Sequence, residues 1–312
     1  MRFSLWTVLA SVSLALIVVA SGCGQPPTRS NVVSALTTSP RETTLKFAVP
    51  KNGRARPLVV VLADNDGTET TDFVIPYGVL KGSGAADVMT VSTGPGTVTL
   101  IPALRIRADM TLAQFDAATP GGADIVIASA GISAGTLTEH REDFAVFEQI
   151  VATNLTATVA TFAPFIAVMK SSAASPAQRQ QQRPLRLVGL ASVAGIRGLP
   201  GAGAYSASKA AVISYCESLR VELRSFGIRV VTIAPGYIDT PMTQHNAYRM
   251  PFLMSAEAFA RRAVKAIDAG DSFRVIPWQM GWVVRLLRWM PNALYDRVFD
   301  KMPRKARTTP DQ

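Results

Sequence analysis

The sequence predicts an α/β fold: one doubly wound parallel sheet covered by helices on both faces, a three-layer αβα arrangement. Three observations predict it. Short apolar runs recur at about 58–63, 86–92, 124–129, 185–191, 229–234 and 272–276, and such runs bounded by turn residues read as buried strands. Helical stretches separate them, and that alternation gives a parallel sheet. The chain has 312 residues, 48% hydrophobic and 17% charged, which suits one large domain with a sizeable core plus an apolar leader.

The leader comes first. Arg2, the apolar run 5–20 and Ser21-Gly22-Cys23 give the charged start, apolar middle and small-residue end of a signal peptide. Ala20-Ser21-Gly22-Cys23 also resembles a bacterial lipoprotein signal, which implies that Cys23 becomes the lipidated first residue. An uncleaved membrane anchor is the alternative. Residues 1–23 are therefore read as leader or anchor, and 24–56, with Pro26, Pro27 and Pro40, as a tether. A leader that is used puts the protein at the membrane, in the bacterial cell envelope or periplasm. Otherwise it is cytoplasmic.

The first strand, 58–63, runs into Asp64-Asn65-Asp66-Gly67-Thr68-Glu69-Thr70-Thr71-Asp72, with one glycine and four acids. A dinucleotide site needs a tight glycine turn here, because the pyrophosphate sits on the backbone at the next helix's N-terminus. Carboxylates there repel a pyrophosphate and already satisfy the helix dipole. The glycine-rich fingerprint is missing. The stretch from Gly67 through Asp72-Phe73-Val74-Ile75-Pro76 to Leu80 resembles the opening of the DJ-1/PfpI family, in the class I glutamine-amidotransferase-like fold. The strand at 86–92, the hairpin-like 96–102, the segment 108–112 and the strand beginning Gly122-Ala123-Asp124 fit that resemblance. It implies a half-domain over 57–128, with Asp72 matching the acid that partners the family's nucleophile. Asp72 also reads as a stabilising acid at a helix N-terminus. The nucleophile itself, a cysteine on a strand-to-helix elbow, has no match. The two cysteines are Cys23 in the leader and Cys216 inside a helix, where a cysteine is more often a small core residue.

The second half carries a different device. Tyr205 and Lys209 lie four apart, and Ser192 lies thirteen residues before Tyr205 at the end of the apolar run 185–191. A tyrosine with a pKa of about 10 is a poor base, but an ammonium one turn away favours its phenolate. Such a tyrosine exchanges a proton with a carbonyl or alcohol oxygen, which a serine hydroxyl can hold. Taken alone, Tyr-x-x-x-Lys is an exposed i, i+4 pair. Here Tyr205 opens a helix that runs to about Phe226, with Gly227 as its stop.

Residues 129–307 resemble the short-chain dehydrogenase/reductase family, whose fold is Rossmann-like. Ala130-Gly131-Ile132, Asn154, Ser192-Val193-Ala194-Gly195, Tyr205 with Lys209, and Pro235-Gly236-Tyr237-Ile238-Asp239-Thr240-Pro241 match its motifs in order. Ser129 stands where the family usually has asparagine. The resemblance implies that Tyr205 is the acid/base and that Lys209 lowers its pKa and binds the nicotinamide ribose. It further implies that Ser192 orients the substrate oxygen and that Asn154 holds a water in a proton relay. Ala130, Gly131, Pro235, Gly236, Ile238 and Thr240 belong to the cofactor side, with Ile238 and Thr240 on the carboxamide. The implied cofactor is NAD or NADP, and the implied reaction interconverts a carbonyl and an alcohol, impaired by loss of the glycine-rich loop. The mostly apolar 242–254 suggests an apolar small-molecule substrate. The competing reading is an envelope-anchored, non-catalytic DJ-1/PfpI-like binding protein, or an inactive fusion.

Both resemblances share a strand near Ile125 to Gly131, so the chain reads as a hybrid of two half-domains, 57–128 and a catalytic 129–280, in one sheet. The expected strand order is second-first-third, with the later strands extending from the third. Residues 281–312 read as a basic amphipathic tail. The net charge is +10, and from Arg261 onward eleven Lys and Arg stand against five acids. Arginines interleaved with Trp and Leu suggest a helix on an anionic membrane surface, or equally a helix packed on the core or on a second subunit of a homo-oligomer. No nucleic-acid motif accompanies the charge. His140 and His245 lie far apart, so no metal is expected.

Overall fold

The computed structural model describes residues 55–65, 68–101, 104–171, 184–240, 243, 249–305 and 307. The leader, Cys23 and all but the last two residues of the tether lie outside them, as do most of 241–248 and the Asp72 side chain.

The main sheet is built from β1 (Leu58–Ala63), β3 (Asp87–Ser92), β6 (Met110–Thr111), β7 (Ile125–Ala128), β8 (Arg186–Leu190), β9 (Arg229–Pro235) and β12 (Phe273–Ile276). Its order is β12-β9-β8-β7-β1-β3-β6. Every neighbouring pair is parallel. The second-first-third order expected for the first strands is present as β3-β1-β7, and β8, β9 and β12 extend from β7. The short β6 adds an edge that the apolar pattern does not announce, since two residues are too few to show a period.

The reason these segments are strands is visible in their burial. All six residues of β1 and all four of β7 are buried, the signature of a parallel sheet covered on both sides. Leu58, Val60 and Leu62 face one core and Val59 and Val61 the other, because side chains alternate along a strand. The first core is closed by α4 (Ala157–Ser171), through Phe162, Phe165 and Met169, and by α5 (Gly203–Leu223), through Val212, Cys216 and Leu219. The second is closed by α1 (Thr70–Ser83), through Phe73 and Leu80, and by α6 (Ala256–Ala269), through Val264 and Ile267. On the outside, β4 (Val98–Ile101) and β5 (Leu104–Ile106) form an antiparallel hairpin, and β4 also pairs with β2 (Thr68–Glu69). The remaining elements are α2 (Leu112–Ala118), α3 (Asp143–Val151), β10 (Ile238–Asp239) paired with β11 (Met254–Ser255), α7 (Trp278–Trp289) and α8 (Asn292–Phe299).

Two element bounds differ from expectation. The Tyr205 helix begins at Gly203, and its α-helical part ends at Leu223 before a 3-10 turn, Arg224–Phe226, and the left-handed Gly227. The expected division at 280/281 falls inside α7, because Pro277 follows β12 as the N-cap and the helix starts at Trp278, three residues before 281.

Candidate active site

The site forms at the carboxyl ends of β7, β8 and β9, where open α/β sheets place their ligands. Beyond β8, Ser192 caps a 3-10 turn, Val193–Gly195, its Oγ accepting from the Ala194 N–H at 3.2 Å. That turn presses on α5. A side chain at Gly195 would put a Cβ 2.7 Å from the Lys209 carbonyl carbon, so only glycine lets the serine loop lie this close.

Lys209 is 3% exposed, which removes the reading of Tyr205 and Lys209 as a solvated surface pair. Its Nζ donates to the Leu190 carbonyl at 3.0 Å and stands 5.9 Å from the Tyr205 ring centroid. The tyrosine is half-buried one turn away. A buried ammonium needs partners, and a strand-end carbonyl beside a polarisable ring supplies them.

Asn154 is fully buried in a π-helical turn, Ala152–Thr156, between α3 and α4. Its Oδ1 accepts from the Ile132 N–H at 2.7 Å, and its Nδ2 donates to the Ile132 carbonyl at 3.1 Å and to Ser208 Oγ at 2.9 Å. Ser208 in turn donates to the Tyr205 carbonyl at 2.9 Å. Both amide hydrogens of Asn154 are thus spent on protein groups, and the side chain ties the loop after β7 to the helix that carries Tyr205.

A cavity of about 130 Å³ joins the remaining residues. Ser192, Tyr205, Lys209 and Gly131 line it, as do Pro235, Gly236, Ile238 and Thr240. Asn154 and Ala130 are not among its walls. Besides Leu190 and Ala191, which adjoin Ser192, the cavity has three walls from other elements that sequence reasoning missed: Pro76 of α1, Phe259 of α6, and Thr243. Thr243 Oγ1 donates to the Ile238 carbonyl at 2.5 Å and accepts from the Thr240 N–H at 3.1 Å, which ties the segment after β9. No spacing rule flags these three, since they arrive from separate elements. A Cβ at Gly236 would lie 2.9 Å from Met280 Cγ of α7 and 3.3 Å from Pro277 Cδ, so a side chain there would require Met280 to shift. A larger depression, about 840 Å³, lies along Thr136–Phe147 beside Gly203 and Ala204, and shares no lining residue with this cavity.

Two observations bear on a dinucleotide. At the nicotinamide end the fit is good, with Lys209, Tyr205 and the Pro235-Gly236 segment on one cavity. At the adenosine end it is not. The ribose of a dinucleotide lies between the ends of the first and second strands of such a sheet. Here that gap is bridged by Asn65. Its Oδ1 accepts from the Gly94 N–H at 2.7 Å, its Nδ2 donates to the Pro95 and Thr97 carbonyls at 3.4 Å, and its own N–H donates to Thr93 Oγ1 at 3.3 Å. The cavity is also well below the roughly 300–1,000 Å³ of usual ligand sites. A whole dinucleotide therefore requires the Asn65 bridge to open.

Beyond β7, Ser129 Oγ is buried and has no hydrogen-bond partner among the described residues. Cys216 packs under β8, and burial pushes its thiol up to about 11. It is a core residue on a helix.

A family model described as short chain dehydrogenase matches residues 106–250, which contain every site residue from Ala130 to Thr240 and span the expected 128/129 junction. An uncharacterized oxidoreductase of Myxococcus xanthus is 39% identical over 192 residues, 61% of this chain and 72% of that protein. An uncharacterized oxidoreductase of Mycobacterium tuberculosis is 38% identical over 96 residues, 30% of this chain and 37% of that protein. Among solved structures, a short chain dehydrogenase from Burkholderia cenocepacia in complex with NADP superposes with a TM-score of 0.59 at 17% identity, covering 80% of this chain and 98% of that one. That likeness is one of fold.

Proposed function

The chain belongs to the short chain dehydrogenase family, and on that premise we propose that it is an NAD(P)-dependent oxidoreductase interconverting a carbonyl and an alcohol. The observation that carries the proposal is the single cavity shared by Ser192, Tyr205 and Lys209. In the reducing direction, the Tyr205 hydroxyl gives its proton to the carbonyl oxygen, and in the oxidising direction the phenolate takes it back. Ser192 Oγ donates a hydrogen bond to the same oxygen and stabilises its developing charge. The Lys209 ammonium stabilises the phenolate and is placed to reach a ribose hydroxyl. A nicotinamide, when bound, supplies the hydride. Gly131, Pro235, Gly236, Ile238 and Thr240 hold that ring's side of the cavity. Pro76, Leu190, Ile238 and Phe259 give the cavity apolar walls, which suits an apolar substrate. NAD and NADP are both retained, because β3 ends in Ser92 and continues to Thr93 with neither an acid nor an arginine to choose between them.

A second reading rests on the Asn65 bridge and the acidic 64–72: an envelope-anchored, non-catalytic binding protein whose residues 57–128 are DJ-1/PfpI-like, or an inactive fusion. In that reading the leader is used and Cys23 is its lipidated residue.

Titrating the folded full chain with NADH and NADPH, followed by nicotinamide fluorescence, separates the two. The oxidoreductase reading expects saturable binding, tightened about tenfold in Asn65→Ala because opening the bridge no longer opposes the ligand. No binding by either protein at millimolar cofactor would leave the second reading standing.

A further inference from the structure

We infer that α7 is an interfacial docking helix whose outer face lays Trp278, Trp282, Arg285 and Trp289 onto an anionic lipid surface. The inference stands independently of the oxidoreductase reading. At about 100° per residue, these four positions fall within an arc of roughly 60° on one side of the helix. The three tryptophans are 63%, 63% and 88% exposed, values that a folded protein rarely leaves to its largest apolar side chain. The opposite face does the packing: Met280 and Val284 are buried. So α7 has an inner apolar face already used and an outer aromatic stripe left exposed among the described residues.

The chemistry of the stripe selects its partner. Tryptophan has an apolar body with a polar N–H, the combination that settles at the headgroup level of a bilayer. The Arg285 guanidinium lies 5.5 Å from the Trp282 ring, so one side chain can meet a lipid phosphate while its neighbour enters the acyl boundary. From Ser272 to Tyr295 the chain holds three arginines and no acid. A second copy seated on the same stripe by two-fold symmetry would set Arg285 and Arg288 against their own counterparts, like charge against like. A negatively charged lipid surface pairs them directly.

The helix is also fixed rigidly to the site. Arg197, from the loop that follows Ser192, donates to the Met290 carbonyl at 2.7 Å and to the Leu287 carbonyl, which holds the last turn of α7. Met280 abuts Gly236 in the cavity wall. Docking α7 on lipid therefore holds the cavity near the membrane boundary, where an apolar substrate would be concentrated.

The test uses the full chain carrying Trp6→Phe, which leaves Trp278, Trp282 and Trp289 as the only tryptophans, so intrinsic fluorescence reports α7 alone. It is mixed with vesicles of phosphatidylcholine and phosphatidylglycerol at seven to three, with and without brominated acyl chains. The expected result is a blue shift with bromine quenching, weaker on phosphatidylcholine alone. Apparent affinity should fall on the order of tenfold in Arg285→Gln/Arg288→Gln. A chain that floats with the vesicles while its tryptophans are neither shifted nor quenched would overturn the inference, since the leader would be the sole anchor. A shift that appears without lipid and tracks protein concentration in sedimentation velocity would overturn it in favour of an interface between copies.

Discussion

Tyr205 and Lys209 were legible from spacing because a helix turns once in four residues, but what makes them a device is burial, which spacing does not reveal. Lys209 reaches Leu190 under the serine loop, and Asn154 fixes the same helix from the other side through Ser208. These positions predict separable effects. Tyr205→Phe should lower carbonyl reduction at least about a hundredfold with an unchanged melting temperature, since it removes one exchangeable proton and little packing. Asn154→Ala should instead destabilise the fold by about 2 kcal/mol, measured by urea denaturation, because the Ile132 N–H loses its acceptor inside the protein. Ser129→Ala should do the reverse and raise stability by about 1 kcal/mol, because a buried hydroxyl with no partner among the described residues is replaced by a methyl. Thr243, Pro76 and Phe259 could not be found this way. Each reaches the cavity from a different element, and no periodicity links them.

At the scale of elements, apolar runs announced the inner strands β1 and β7 because burial on both faces leaves no polar alternation to misread, whereas the edge strand β12 exposes Phe273 and Arg274. The π-helical turn at Ala152–Thr156 and the two-residue β6 were invisible, since each is set by tertiary hydrogen bonds. The same holds for the C-terminal strap. Gly135 bridges to Arg307, whose guanidinium binds both oxygens of Asp143 at 2.9–3.2 Å, and Lys305 Nζ donates to Ser133 Oγ at 2.7 Å. The Arg307 side chain and the Leu137 N–H hold the Asp143 carboxyl below the usual aspartate range. A depressed folded pKa means stabilisation that is complete above the unfolded value of about 4 and is lost as pH falls through the lower folded value. The protection of amides near residue 307, their exchange rate relative to the intrinsic rate at the same pH, should therefore hold from pH 8 to 5 and fall only below the ordinary aspartate range. In Arg307→Ala it should be low throughout, and equal protection in the two proteins at pH 7 would remove the strap's role.

For the whole molecule, the question is whether 57–128 and 129–280 behave as two units or one. The short chain dehydrogenase match, residues 106–250, crosses that division, and the sheet does not respect it either. β1 pairs with β7 through Val59 to Val61, and both core clusters draw residues from each side, with Val60 and Leu187 in one and Val61 and Val231 in the other. Separating the halves would expose a fully buried edge on β1 and another on β7, and neither could satisfy its backbone groups alone. The full chain should therefore unfold in urea as one transition. The tryptophans of α7 report one end of the molecule and circular dichroism reports all of it, so their midpoints should coincide. Residues 129–312 expressed alone should lack the cooperative transition. Two resolved transitions in the full chain would mean that each half carries its own core and that the shared sheet is only a junction between them. A single one would mean that whatever the ancestry of residues 57–128, their present physical role is to complete the sheet that holds Ser192, Tyr205 and Lys209 in place.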